Sequence, residues 1–145
     1  MDTIRPEFAM KELMASPSLL PEGRSGELCK KILQYLGSNK IYLDKRLSLA
    51  KFSSVVGTNT TYLSNAVNQV FHCNVKTLIN WYRVQYAKTV LSKKMYSLKD
   101  IPFVCGFSSK STFYSAFKKF EGITPFQYIH KNSDDDNTKT NKDIA

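Results

Sequence analysis

The feature that most constrains the fold of this 145-residue chain is an internal duplication. Leu49-x-x-Phe52-x-x-x-Val56-Gly57 recurs as Leu98-x-x-Ile101-x-x-x-Cys105-Gly106, at an offset of 49 residues. Apolar residues three and four apart share one face of a helix, and a closing glycine admits the positive φ that a chain reversal needs. A polar turn and a further helical pattern follow each glycine. There Leu63 and Val67 correspond to Phe113 and Phe117, with the offset now 50 because the second turn is one residue longer. Each unit therefore predicts an apolar-faced helix, a glycine turn and a second helix with a polar outer face, which is the helix-turn-helix arrangement. The same spacing also suits an inert bundle of two helical pairs.

Helical periodicity extends well beyond the repeat. Leu28, Ile32, Leu33, Tyr35 and Leu36 mark a first helix that Gly37 stops. Leu47, Leu49, Phe52 and Val56 mark the second, and Tyr62, Leu63, Ala66, Val67 and Val70 the third, which opens in the Thr58–Thr61 cluster of capping side chains. One long fourth helix is expected over about 75–92, on Val75, Leu78, Ile79, Tyr82, Ala87 and Leu91. A fifth is expected to open at Ser97, with Asp100 three residues on as an approximate capping box, and to end before Gly106. Phe113, Phe117 and Phe120 give a sixth, and Thr124-Pro125 starts a short seventh, with proline where its missing N–H is harmless. No stretch alternates as a strand would. The fold class is all-α, with about seven helices: two tandem helix-turn-helix units joined by a long linker helix. Residues 27–131 form the expected domain. Residues 1–26, rich in proline and glycine, read as a linker or partly ordered extension with one short helix over about 7–15. Residues 132–145, with Asp134–Asp136, read as a disordered tail.

Charge is unevenly spread. The chain carries +9, but residues 27–131 alone hold sixteen Lys and Arg against four acids (Glu27, Asp44, Asp100, Glu121). A basic body between mildly acidic ends suits a polyanionic partner, because each neutralised phosphate releases condensed counterions. The three cysteines, Cys29, Cys73 and Cys105, show neither CxxC spacing nor a nearby histidine pattern, so no metal site and no disulfide framework is expected. No apolar run is long enough to span a membrane, and a reducing, cytoplasmic setting is the default. Catalysis is not expected either. The acids of the body are scattered, His72 and His130 lack motif partners, and Asp134–Asp136 read as solvated charge. No cofactor is implied.

Over about residues 26–131 the sequence resembles the AraC/XylS-type family of bacterial transcription regulators. The densest segment is Gly106-Phe107-Ser108-Ser109-Lys110-Ser111-Thr112-Phe113-Tyr114-Ser115-Ala116-Phe117-Lys118-Lys119-Phe120, closed by Gly122-Ile123-Thr124-Pro125. Upstream, Gly57 with Tyr62-Leu63-Ser64 matches the first unit, and Ile79-Asn80-Trp81-Tyr82-Arg83 with Ala87 and Leu91 the linker helix. With Asn68 and Phe71, that wording is similar to the C-terminal output domains of Bacteroidetes sensor-regulators. The chain departs from the family at Pro102, where alanine is usual, and after Tyr128, where Ile129-His130 replace the usual arginine.

The resemblance implies sequence-specific binding of double-stranded DNA, with each second helix in a major groove. It also implies a sensor or dimerisation domain and RNA polymerase as further partners, and no membrane contact by this chain. Matching the family's base-contacting positions gives Thr61, Ser64 and Asn65, with Asn68 one turn on, then Lys110, Ser111, Tyr114 and Ser115. These are also the polar positions opposite the Leu63/Val67 and Phe113/Phe117 stripes. Asparagine can grip adenine, and threonine methyls or tyrosine rings can pack on thymine methyls, but no arginine stands ready for guanine. An A/T-rich, asymmetric target is expected, its halves about one turn, ~10 bp, apart. Lys51, Thr58, Thr60, Lys76, Ser108, Lys118 and Lys119, beside turns and helix ends, are the phosphate candidates.

Two rivals keep the same fold. A degenerate helix-turn-helix pair would bind protein instead, through Phe103, Val104 and their aromatic neighbours, and a nucleoid-type protein would bind DNA without regard to sequence. The aromatic residues, Trp81 included, fall at core spacing rather than forming platforms for single strands.

Overall fold

The computed structural model describes residues 12, 13 and 20–131, all helix and turn with no strand. The expected helix over 7–15 falls largely outside them, and the 132–145 tail wholly so. The helices are α1 (Arg24–Gly37), α2 (Leu49–Val56), α3 (Thr60–Phe71), α4 (Val75–Lys93), α5 (Ile101–Val104), α6 (Lys110–Glu121) and α7 (125–131), with a 3₁₀ turn at Ile41–Leu43. The chain forms two compact units whose boundary falls between Tyr82 and Arg83, inside α4.

The first unit holds α1, α2, α3 and the start of α4. Its core is one stripe from each helix: Cys29, Ile32 and Leu36 from α1, Phe52 and Val56 from α2, and Leu63, Ala66, Val67 and Phe71 from α3. Burying each such leucine or phenylalanine side chain is worth roughly 1.5–3 kcal/mol, far more than the local preference of any single residue. The α1 stripe differs slightly from expectation, since Cys29 is fully buried and Leu28 only half-buried. Helix α1 also begins at Arg24, inside the segment read as linker. Tyr42 and Tyr82 close the unit with ring centroids 5.5 Å apart.

The second unit packs α5, α6 and α7 with the remainder of α4. Phe107, Phe113 and Phe117 form a run of tilted and edge-on rings, with centroids 5.4 and 5.9 Å apart, and Tyr128 of α7 extends it at 5.6 Å. The buried Arg83 guanidinium lies 5.6 Å over the Phe107 ring, a cation–π contact that offsets part of its desolvation. Across the unit, Lys88 bridges Glu121 at 2.6 Å. At the start of α7 the Gln127 N–H donates to Thr124 Oγ1 (3.2 Å), and the Thr124 N–H donates to Gln127 Oε1 (3.0 Å). This reciprocal capping box lies one step beyond the Thr-Pro signal read from sequence.

The duplication reappears as hydrogen bonds. In the first unit the Thr58 N–H donates to Ser53 O at 2.8 Å, and in the second Phe107 N–H donates to Pro102 O at 3.0 Å. Both are the wide closing bond of a helix C-terminal turn. Gly57 (φ 88°) and Gly106 (φ 95°) supply the left-handed residue at the same place in each.

The two units differ where Pro102 stands. The helix expected from Ser97 is instead a turn over 98–100 followed by four helical residues, Ile101–Val104. Proline has no N–H to donate to the carbonyl of Leu98, and its ring crowds the turn before it. The chain there closes through one tighter bond, Asp100 N–H to Ser97 O at 3.0 Å, beside an ordinary helical bond from Ile101 N–H to the same oxygen at 3.2 Å. The capping pair forms only between side chains, Ser97 Oγ to Asp100 Oδ2 at 2.9 Å. Pro102 is itself fully buried. Its counterpart Ser53, also buried, satisfies its hydroxyl on Ala50 O at 2.8 Å.

None of the three cysteines forms a disulfide. Cys29 and Cys105 are fully buried and Cys73 is half-buried.

A Cβ on Gly57 would meet nothing within 4 Å, so alanine there is opposed by the left-handed backbone alone. Gly57→Ala is expected to lower unfolding stability by about 1 kcal/mol. Urea titration followed by the fluorescence of Trp81, the chain's one tryptophan, measures this, and an unshifted midpoint would show that the turn does not need its glycine.

Candidate nucleic-acid interface

The second helix of each unit, α3 or α6, is fixed at its first turn by a side chain that precedes it. Asn59 Oδ1 accepts the N–H of Tyr62 at 2.9 Å, which starts α3. Ser109 Oγ accepts the N–H of Thr112 at 3.2 Å, which starts α6. Such caps satisfy N–H groups that a helix cannot pair internally. At the other end α3 stops on His72 in the left-handed conformation (φ 58°), and α6 on Gly122 (φ 77°).

With both ends set, the buried stripes determine rotation. Leu63, Ala66, Val67 and Phe71 turn inward on α3, as Phe113, Ala116, Phe117 and Phe120 do on α6. The outer face of α3 presents Thr61, Asn65 and Asn68 to solvent, with Ser64 half-buried between them. On α6, Lys110, Ser111 and Ser115 are exposed and Tyr114 is half-buried. The Lys110 ammonium lies 5.6 Å from the Tyr114 ring centre, so these two side chains form one feature of the surface.

The phosphate candidates are more scattered. Lys51, Thr60, Lys76, Ser108, Lys118 and Lys119 are exposed and Thr58 is half-buried. Lys51 already forms an ion pair with Asp44. The lysine and the Arg46 N–H together hold the Asp44 carboxyl below its ordinary range. Lys118 and Lys119 occupy the last turn of α6, where cations complement the helix dipole. They stand about two turns, roughly 12 Å of helical rise, from Ser108 and Lys110. Lys119 also leans over Phe120, 5.7 Å from its ring centre.

One surface residue was missed. Tyr62 reads as part of the apolar stripe but is 61% exposed. One residue is ~100° of helix, and with Leu63 central to the core, position 62 swings to the flank. Val70, counted in the same stripe, is half-buried. The signal was available in the spacing Leu63-Ala66-Val67-Phe71, which is complete without Tyr62. Among the described residues no cluster of three or more His, Cys, Asp or Glu is placed to hold a metal ion.

Two successive units of this kind, each a helix, a glycine turn and a capped second helix with a polar outer face, define a double helix-turn-helix protein of the DNA-binding class. Residues 52–131 match the family model described as a helix-turn-helix domain, and the chain belongs to that family, in its AraC-type branch of DNA-binding transcriptional regulators. It is 31% identical over 97 residues to the melibiose operon regulatory protein of Escherichia coli strain K12, covering 67% of this chain and 32% of that protein. It is also similar to the probable transcriptional regulator LumQ of Photobacterium leiognathi, at 26% identity over 87 residues, covering 60% and 35%. The chain thus spans about a third of the length of these curated relatives. Among solved structures it superposes on the C-terminal domain of the two-component response regulator yesN from Fusobacterium nucleatum with a TM-score of 0.61 and 26% identity, covering 70% and 97%. The C-terminal domain of AraT, a response regulator from Geobacillus stearothermophilus, shares the fold with a TM-score of 0.66 at 23% identity, covering 75% and 88%.

The caps give a direct test of how the polar faces of α3 and α6 are held. Asn59→Ala and Ser109→Ala should each cost about 1 kcal/mol of stability. Amide hydrogen exchange should quicken in the first turn of α3 for the former and of α6 for the latter. Unchanged exchange in those turns would mean that packing alone sets where the helices begin.

Proposed function

We propose that this chain is the output domain of a transcription regulator, taking in residues 27–131, that reads double-stranded DNA through α3 and α6 in the major groove. The observation that carries this is the rotation of both helices: the apolar stripes turn in, and no residue matched to a base-reading position is buried, six being exposed and Ser64 and Tyr114 half-buried. Thr61, Ser64, Asn65 and Asn68 are the readers of one half-site, and Lys110, Ser111, Tyr114 and Ser115 those of the other. The phosphate candidates fix orientation without specifying sequence. A cytoplasmic location, a sensor or dimerisation domain as partner and RNA polymerase as the downstream contact complete the reading, with no catalytic step assigned to the chain.

The chemistry of the readers sets the target. Asn65 and Asn68 suit adenine, while Thr61 and Tyr114 suit thymine methyls, and no arginine stands among them to grip guanine. Selection of bound duplexes from a random library should return an A/T-rich, asymmetric site, with the separation of its halves read from the same data. A strongly G/C-specific site would overturn the assignment of these readers.

Phosphate contact is tested separately. Replacing Lys118 and Lys119 by alanine should weaken binding to all sequences and reduce the slope of log affinity against log salt by ~1 per lost contact. An unchanged slope would place the two lysines off the duplex.

The protein-interaction alternative rests on one observation, that Phe103 is 41% exposed on a short basic and apolar stretch with Met95, Tyr96 and Leu98. Binding to random duplex at low salt separates the two readings, since a pure interaction module would show none.

A further inference from the structure

A cleft of about 740 Å³ opens between the start of α1 and the outer side of α3. Its walls include Arg24 and Lys31 from α1, Thr58 from the first turn, and Tyr62, Asn65 and Gln69 from α3. Ser25 Oγ donates to Gln69 Oε1 at 3.3 Å, which ties the two helices across it. Tyr62, Asn65, Ala66 and Gln69 are spaced i, i+3, i+4, i+7, so they lie along one face of α3. The reading positions Thr61, Ser64, Asn65 and Asn68 repeat the same spacing one residue earlier, on the adjoining face. Asn65 belongs to both. The cleft therefore begins at the edge of the surface assigned to bases, and Thr58, already a phosphate candidate, lies in its wall.

Its charge points to an anion. Arg24 and Lys31 are exposed at its border. The one acid in its lining, Glu27, faces Lys30 at 3.4 Å. Helix α3 itself carries no charged side chain, so cations along this flank must come from elsewhere, and α1 supplies them. Tyr62, the large exposed aromatic of α3, stands between those cations and the reading face.

We propose that this cleft seats a stretch of the DNA sugar–phosphate backbone beside the groove that α3 reads. Arg24 and Lys31 are its phosphate partners, and the Tyr62 ring packs on a deoxyribose. The inference rests on the DNA-reading function above and extends the interface to α1, whose start lies in sequence that reads as linker.

The test uses the full chain and the duplex recovered by selection. The double variant Arg24→Ala/Lys31→Ala should reduce the salt slope by about 2, at ~0.9 per phosphate, without changing which bases are preferred. Lys93→Ala, exposed at the end of α4 and outside the cleft lining, should leave the slope alone. Tyr62→Ala should weaken binding several-fold, and Tyr62→Phe, which keeps the ring, should restore most of it. All of these positions are exposed, and far-UV circular dichroism checks that each variant stays folded. Wild-type protein that binds with a slope the double variant does not alter would overturn this inference and leave the reading helices standing. Altered base preference with an unaltered slope would overturn it equally, because the cleft would then act by holding α3. Wild-type protein that binds no duplex would remove the underlying function and this inference together.

Discussion

Everything the surface of this protein offers depends on which way two helices are rolled. Burial of Leu63, Val67 and Phe71 on α3, and of Phe113 and Phe117 on α6, leaves each with at most 2% of its surface exposed. Rolling either helix by one residue would expose large side chains worth roughly 1.5–3 kcal/mol each and bury hydroxyls or amides with no partner. No cap or surface charge competes with that. The polar faces are thus not held by contacts of their own. They are what remains outside once the core is satisfied, and so chemically mild residues can occupy them without weakening the fold.

That hierarchy explains what was legible beforehand. Stripes of Leu, Val and Phe at helical spacing are a sequence signal and a packing constraint at once, so helix order, the long α4 and the two glycine turns could be read directly. Leu49 through Gly57 and Leu98 through Gly106 even share a closing hydrogen bond in equivalent places. Features set by one atom or one neighbour were harder. Pro102 was visible as an anomaly, but its effect was a missing N–H that turned half a helix into a turn. Tyr62 is apolar enough to pass for core and is displaced only because Leu63 beside it is central. Arg24 looked like linker because glycines and prolines precede it, and only the packing of α1 against α3 shows that the helix reaches so far back. The outward placement of the site residues followed from the stripes, whereas the cleft beside Thr58 and Asn65 depended on α1, which the repeat does not include.

The two units also divide their charge differently. Helix α6 carries Lys110, Lys118 and Lys119, and its one acid, Glu121, is held by Lys88. Helix α3 carries none, and the described cations of its unit lie on α1, α2, the start of α4 and, as Lys40, Lys45 and Arg46, the connection between α1 and α2. Long-range attraction to a polyanion falls with salt, whereas contacts to base edges through amides and hydroxyls depend on it far less. Under the proposed reading, α3 would draw its contacts from shape and hydrogen bonding and α6 would draw its own partly from charge. Selectivity and attraction are thereby separable properties of one short chain.

The buried thiols have a consequence of a different kind. Burial pushes the Cys29 thiol up to about 11 and that of Cys105 to about 12, so in neutral solution both stay protonated and poorly nucleophilic. Peroxides and alkylating agents act on thiolates and find little to attack in the packed interior. Chemical modification of Cys29 or Cys105 therefore requires the interior to open first, and a modified thiol at either position would be a lasting record that the molecule had once come apart.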